Sequence, residues 1–283
     1  VSLVPLRQAI ASFVHDGEVV ALEGFTHLIP HAAGHEIVRQ GRRDLTLVRM
    51  TPDVIYDQLV GMGSARRLVF SWAGNPGVGS LHRIRDAVER GWPAPLEIEE
   101  HSHAAMAAAY AAGASGLPFA VLRGYSGTDL PRHNPNIRWI ASPFSDERLA
   151  AVPALRPDVT ILHAQQADRS GHVRLWGIVG VQKEAALAAR RVLVTVEEVV
   201  EDFDAPGVQG PRGREPVVVL PSWTVHAVCR VPGGAHPSYA AGYSRRDNAF
   251  YTAWDEISRD RDTFRAWMRE HVLEPRVEAT GHA

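Results

Sequence analysis

Ile161-Leu-His-Ala-Gln-Gln-Ala-Asp-Arg-Ser-Gly-His-Val-Arg-Leu-Trp-Gly177 decides how this 283-residue chain folds. Its first residues complete an apolar and β-branched run from Val159 to Leu162, with no charge until Asp168. Such a run reads as a strand buried on both faces, as in a parallel sheet. His163, Gln165, Gln166 and Asp168 then arrive together. Asp168-Arg-Ser-Gly171 reads as a turn, with glycine where a positive φ is needed. Val173 to Trp176 is a second short strand leading away. Ligands of open α/β sheets sit beyond the carboxyl ends of the strands. The cluster is therefore a candidate ligand site, with Gln165 and Gln166 as substrate-binding residues.

Working outward, apolar strands alternate with helical periodicities along the whole chain. The pattern predicts an α/β fold with a doubly wound, mainly parallel open sheet. It predicts one domain over residues 1–273, followed by a frayed tail over 274–283. Leu6, Ile10, Phe13 and Val14 have helical spacing, and Glu18 to Phe25 reads as the first strand. Leu117-Pro-Phe119 reads as the start of a buried segment. Arg123 through Asn136 reads as a long polar loop that closes over substrate or meets a partner. Val181 to Arg190 reads as a helix with Gln182, Lys183 and Glu184 outward, and Ser258 to Leu273 as the closing helix.

Composition excludes several classes. Hydrophobic residues make up 45% of the chain, enough for a sizeable core, and the net charge is −2. That balance carries no electrostatic footprint for nucleic acid. A single cysteine, Cys229, rules out an intrachain disulfide framework and a cysteine-based zinc site. No stretch reaches the roughly 18 apolar residues that span a bilayer, and no signal peptide is visible. The expectation is a cytoplasmic protein that contacts neither membrane nor nucleic acid.

Ionisable residues gather at predicted strand ends. Glu23 closes the first strand. His27, His31 and His35 are spaced four apart, but the His-Glu-x-x-His motif is absent, and no metal site is expected. The loop Ala73-Gly-Asn-Pro-Gly-Val-Gly-Ser80 lies between a strand and a helix, so its amides offer an anion site. It lacks the Lys-Ser/Thr of a P-loop and the third glycine of a dinucleotide fingerprint. A carboxylate ligand remains, set against a plain turn between strand and helix. Glu100, His101 and His103 form a candidate acid–base set, set against a charged edge beside a capped helix. Glu197-Glu198 closes another strand and reads either as paired catalytic carboxylates or as salt bridges to arginines.

Three motifs carry a family resemblance: the loop at Gly24-Phe-Thr26 with Asp16-Gly17 before it and Pro30 after it, the Ile161–Gly177 stretch, and Gly233-Gly-Ala-His-Pro-Ser238. With these, the chain resembles the A (alpha) subunit of family I coenzyme A-transferases, the glutaconate CoA-transferase type in particular, over roughly Leu3 to Leu273. The resemblance implies the NagB/RpiA/CoA-transferase-like fold. It implies a partner, the B (beta) subunit of the CoA-transferase, in an A2B2 or higher heteromer. It also implies acyl-CoA as substrate and no permanently bound cofactor. Chemistry would run through an acyl-glutamyl anhydride and an enzyme–CoA thioester, with the nucleophilic glutamate on the beta subunit. Gly24, Phe25 and Thr26 would then line the acyl pocket, and Asn75, Gly77 and Ser80 of the glycine-rich loop would lie on the substrate side. Glu23 departs from the family's usual glycine and places a carboxylate near the reacting atoms. With Glu100 and His103 it forms the catalytic candidates of this chain. Two rivals stay open: the same scaffold acting as an acyl-CoA hydrolase or decarboxylase with its chemistry on this chain, or a non-catalytic acyl-CoA-binding subunit.

Overall fold

The computed structural model describes residues 2–77, 79–211, 213 and 215–274. In chain order the elements are β1 (Ser2–Leu3), α1 (Leu6–Phe13), β2 (Val19–Glu23), α2 (His31–Arg39), β3 (Leu45–Val48), α3 (Val54–Gly61), β4 (Ala65–Phe70), α4 (His82–Arg90), β5 (Glu97–Glu100), α5 (His103–Ala114) and β6 (Phe119–Leu122). They continue with α6 (Leu130–His133), β7 (Arg138–Ala141), β8 (Arg148–Pro153), β9 (Val159–Asp168), β10 (Val173–Trp176), α7 (Gln182–Ala188), β11 (Arg191–Val200), β12 (Val217–Leu220), β13 (Ala227–Arg230), α8 (Asn248–Arg259) and α9 (Arg261–Met268).

A ten-stranded sheet runs in the order β1-β13-β11-β9-β2-β3-β4-β5, with β10 and β12 hooked onto β9. Every pairing along that order is parallel, while the β9–β10 and β10–β12 pairings are antiparallel. The fold is thus doubly wound and mainly parallel. From β2 the chain winds outward through β3, β4 and β5; from β9 it winds the other way through β11 and β13. The strand order therefore reverses between β2 and β9, where Val20 to Glu23 pair with Val159 to Leu162. That crevice is where this architecture binds ligands.

The alternation of a strand sends successive side chains to opposite faces. On β2, Val20 and Leu22 join the core formed with α1, α2, α3, α8 and α9, while Ala21 joins the core under α5 and α7. Helices start where a side chain takes up free amides. Asp53 accepts from Ile55 N at 3.3 Å, and Ser102 accepts from Ala105 N at 3.2 Å. Asp57, buried in α3, accepts from Arg83 N and Ile84 N at 2.8 Å and from Trp254 Nε1 at 3.0 Å. It thereby ties the start of α4 to the C-terminal helices.

Several expectations need correction. The polar cluster does not lie beyond a strand end, because β9 continues through it to Asp168. The segment at Leu117 to Phe119 is exposed. It opens β6, an edge of the separate antiparallel sheet β6-β8-β7, which has only one face to cover. Gln182 is buried rather than outward, since its side chain closes the turn before α7 by accepting from Gly180 N at 2.8 Å. The closing helix starts at Arg261 rather than Ser258, because α8 ends at Arg259 and the Asp260 carboxylate takes up the first amides of α9; from there it runs on through a π turn, Arg269–Leu273. The expected frayed tail lies, from residue 275 onward, outside the described residues.

Candidate active site

The loop after β2 bears the marks of a built site. A Cβ on Gly24 would stand 2.7 Å from Leu28 O and 2.9 Å from His27 O, so only glycine lets the chain fold back here. Thr26 and Leu28 hold φ angles of 57° and 54°, a region that side chains rarely adopt and a β-branched one least of all. Such strain persists only where the surroundings over-determine it. Leu28 N donates to Tyr239 O at 2.9 Å, Ile29 N to Ser238 Oγ at 3.1 Å, and Ala32 N to Gly234 O at 3.0 Å. Between Gly24 and Pro30, only Phe25 and Thr26 are not fully buried, so they form the open tip of the loop.

Glu23 lies at the base of this loop and is 2% exposed. Its Oε1 accepts from the Tyr110 hydroxyl at 2.9 Å and from Met50 N at 3.2 Å. Burial pushes its carboxyl up to about 7, against the opposing pull of Arg49, the Tyr110 hydroxyl and the Met50 and Gly24 amides. It is neither solvated nor salt-bridged, because the nearby guanidinium is engaged elsewhere. Arg49 donates to Asp53 Oδ1 at 2.9 Å and to Gly24 O at 2.8 Å. Arg49 and Tyr110 escaped the reading of the sequence. The available signal was a lone arginine between the apolar run of β3 and the cap at Asp53.

The Met50 peptide links Glu23 to another candidate. Its N–H faces Glu23, while its carbonyl accepts from Ser71 Oγ at 2.6 Å. Ser71 Oγ in turn lies 3.2 Å from His103 Nδ1, at the exposed start of α5. Glu100 is not part of this set: its side chain is exposed, and its backbone carbonyl accepts from Asn134. The histidine with a carboxylate partner here is His101, whose Nε2 lies 2.8 Å from Glu99 Oε1. The stretch expected as a long polar loop over 123–136 contains the short helix α6 and packs onto this edge, with the Tyr125 hydroxyl accepting from Ser102 N at 3.0 Å.

The glycine-rich loop after β4 meets an anion, but one belonging to the chain. Ser80 N donates to Asp255 Oδ1 at 2.9 Å, and His82 Nε2 lies 2.9 Å from the same oxygen. The amide of Ser80 holds the Asp255 carboxyl down to about 2. Gly77 N donates to Asn75 Oδ1 at 3.0 Å, and Asn75 Nδ2 to Tyr251 O at 2.7 Å. The Gly77 and Ser80 amides are thus occupied by the loop itself and by α8. Trp72, Asn75 and Ser80 line an open cleft of about 430 Å³ beside this loop.

Gln165 and Gln166 are fully buried, and their amides are taken up internally. Gln165 donates to Trp176 O at 2.9 Å and accepts from Trp176 N at 3.2 Å, which clamps β10. Gln166 donates to Gln209 O at 2.8 Å and to the Tyr243 hydroxyl at 2.9 Å, and accepts from Arg174 Nη2 at 2.5 Å. Glu198 accepts from the Tyr243 hydroxyl at 2.6 Å, and Glu197 meets His163, so among the described residues the expected arginine bridges do not form. Burial and His35 hold His31 well below the usual histidine range, and burial brings His27 down to about 4. Among the described residues, no group of three or more His, Cys, Asp or Glu is placed to hold a metal ion.

Comparison with known proteins places this geometry. A family model for coenzyme A transferase matches residues 5–229. The chain is 66% identical over 270 residues to the A chain of the 3-oxoadipate CoA-transferase of Pseudomonas knackmussii, covering 95% of this chain and 93% of that one. The crystal structure of glutaconate coenzyme A-transferase from Acidaminococcus fermentans superposes with a TM-score of 0.88 at 32% identity, over 98% of this chain and 90% of that one. The decarboxylase AibA/AibB superposes with a TM-score of 0.75 at 27% identity, over 94% of this chain and 98% of that one.

Proposed function

The chain belongs to the coenzyme A transferase family, and from that premise we propose that it is the alpha subunit of a two-chain transferase moving CoA between short dicarboxylic acids, one of them of the 3-oxoadipate kind. One observation carries the choice of acid: 66% identity to the corresponding chain of a 3-oxoadipate CoA-transferase, sustained over 95% of this one. The proposed assembly is A2B2 or a higher heteromer with a beta subunit, this chain contributing one domain to it. The proposed location is the cytoplasm, where the single buried Cys229 stays reduced.

In this reading a glutamate of the partner chain attacks the acyl-CoA thioester, expels CoA thiolate and forms an acyl-glutamyl anhydride. The thiolate then attacks the glutamyl carbonyl, releasing the first acid and leaving an enzyme–CoA thioester. The second acid's carboxylate attacks that thioester and forms a new anhydride. Attack of the thiolate on its acyl carbonyl returns acyl-CoA and the free glutamate. A carboxylate is a weak nucleophile and needs proximity and desolvation. This chain would supply both through the Phe25–Thr26 tip and the Ser71–His103 edge. Coenzyme A enters as acyl-CoA substrate, not as a resident cofactor.

The state of Glu23 supports placing the nucleophile elsewhere. It is sealed from solvent and holds two hydrogen bonds, so it cannot approach a thioester without rearrangement. The likeness to a decarboxylase, together with a carboxyl at about 7, favours a second reading in which Glu23 handles a proton on this chain.

Native mass spectrometry of the protein from its own cells, with sequencing of the co-purified chain, tests the assembly. Incubating the complex with acyl-CoA and no acceptor, then reducing with borohydride, marks the thioester-bearing glutamate. The expected label is on the partner chain, and transfer to 3-oxoadipate is expected from the complex but not from this chain alone. A label on Glu23, or transfer by the single chain, overturns the proposal. Release of carbon dioxide without transfer selects the second reading.

A further inference from the structure

We propose that Thr195, His163 and Glu197 form a buried brace that positions the Gly24–Pro30 loop for acyl transfer, acting through the turn at Gly233–Ser238. The proposal rests on the transferase reading of that loop. The three side chains lie on neighbouring parallel strands, with Thr195 in register with His163. Thr195 Oγ1 is 2.8 Å from His163 Nδ1, and His163 Nε2 is 2.9 Å from Glu197 Oε1. The other carboxylate oxygen, Oε2, accepts from Gly233 N at 2.7 Å. The imidazole thus bridges the Glu197 carboxylate and the Thr195 hydroxyl, and Thr195 Oγ1 also reaches Leu162 O at 3.2 Å.

The turn that Glu197 fixes is the turn that holds the loop. Gly234 O accepts from Ala32 N, Ser238 Oγ from Ile29 N, and Tyr239 O from Leu28 N. Ala241 N donates to His27 Nε2 at 3.0 Å. A Cβ at Gly234 would stand 2.8 Å from Val231 O and 3.1 Å from His163 Cε1, so turn and imidazole are in contact. The brace thus joins the three segments that carry the family resemblance, the Gly24 loop, the Ile161–Gly177 stretch and Gly233–Ser238.

An ionised group is costly to bury, and an apolar pair would fill this space without that cost. Burial alone would raise the Glu197 carboxyl, but bonds from His163 and from Gly233 N hold it below the usual range. What the charged brace adds over an apolar pair is direction: one placement of Gly233, hence one placement of the strained backbone at Thr26 and Leu28. Strained conformations at sites need such over-determination. These are positioning residues; none of them is assigned contact with substrate.

The test uses the complex with its partner chain and two near-isosteric variants, Glu197→Gln and Thr195→Val. In each, kcat is expected to fall about 10- to 100-fold while KM stays within about twofold, as for a small misplacement of reacting groups. Amide exchange at Leu28, Ile29 and Ala32 is expected to quicken about tenfold, with the amides of α3 unchanged. A Glu197→Gln complex with unaltered kcat overturns the brace, and so does a fall in kcat with unaltered exchange at those amides. If Glu197→Gln does not fold, Ser238→Ala, which removes the acceptor of Ile29 N together with the bond from Ser238 Oγ to Ala235 O, gives the same two readouts. A parent complex without transferase activity overturns the functional reading instead, and the exchange comparison then decides the brace alone.

Discussion

The centre of the sheet and its β4–β5 edge both gather polar and ionisable residues, yet the two differ in kind. At the centre, Glu23, Arg49, His163, Gln165 and Gln166 are fully or almost fully buried, and each has hydrogen-bond partners within the chain. At the edge, Glu100 and His103 are exposed and Trp72 is 49% exposed. Burial makes an unmet polar group expensive, so these five side chains are tied into the chain, although atoms such as Arg49 Nε and both ring nitrogens of His31 stay unmet; water makes it cheap, so the edge stays open. Clustering of charge therefore marks architecture in one place and accessible chemistry in the other.

This contrast can be broken by substitution. Arg49→Met is expected to have the largest effect, because it leaves Asp53 buried without its cation and frees Gly24 O. A loss of about 3–5 kcal/mol is expected from the urea midpoint. An Arg49→Met chain as stable as the parent would show the centre to be less closed than its burial implies.

The second effect is a pH dependence. The folded-state pKa of Glu23 is raised from 4.5 to about 7, so between those values the folded chain holds a proton that the unfolded chain has lost. This contribution is fully present below pH 4.5 and is lost as pH rises to about 7. Relative to the parent, Glu23→Gln should therefore gain about 3 kcal/mol of stability across that window. Equal slopes for parent and variant in urea titrations at several pH values would place the titration of Glu23 outside the window.

Gln166→Leu should cost about 1–3 kcal/mol, since it strips partners from Arg174, Gln209 O and the Tyr243 hydroxyl at once. His103→Ala should be the mildest, within about 0.5 kcal/mol in stability. Its kcat is the sharper measure. A fall of more than about tenfold with unaltered stability would make the edge catalytic on this chain.

The same contrast explains what the sequence made legible. Apolar runs and caps such as Asp53 and Ser102 act within a few residues, so strand order of appearance, helix starts and fold class could be read directly. Gln165 and Gln166 could not be placed, because Trp176, Gln209 and Tyr243 lie far along the chain. Nor could the loop at Asn75–Ser80 be separated from an anion site, since Asp255 arrives only with α8. Glu23 was visible as an anomaly, but its sealing by Tyr110 depends on an Ala-rich helix whose single tyrosine carries no local signal.

The docking of α8 onto the β4 loop bears on biosynthesis. Asn75 and Ser80 find their partners 176 and 175 residues later, in Tyr251 and Asp255. Asp57 waits longer, 197 residues, for Trp254. A chain emerging from the ribosome can pair β2, β3 and β4 early, but the cleft side of β4 has nothing to rest on until α8 has been translated. Arrival of α8, rather than formation of the sheet, is then the step that completes this face.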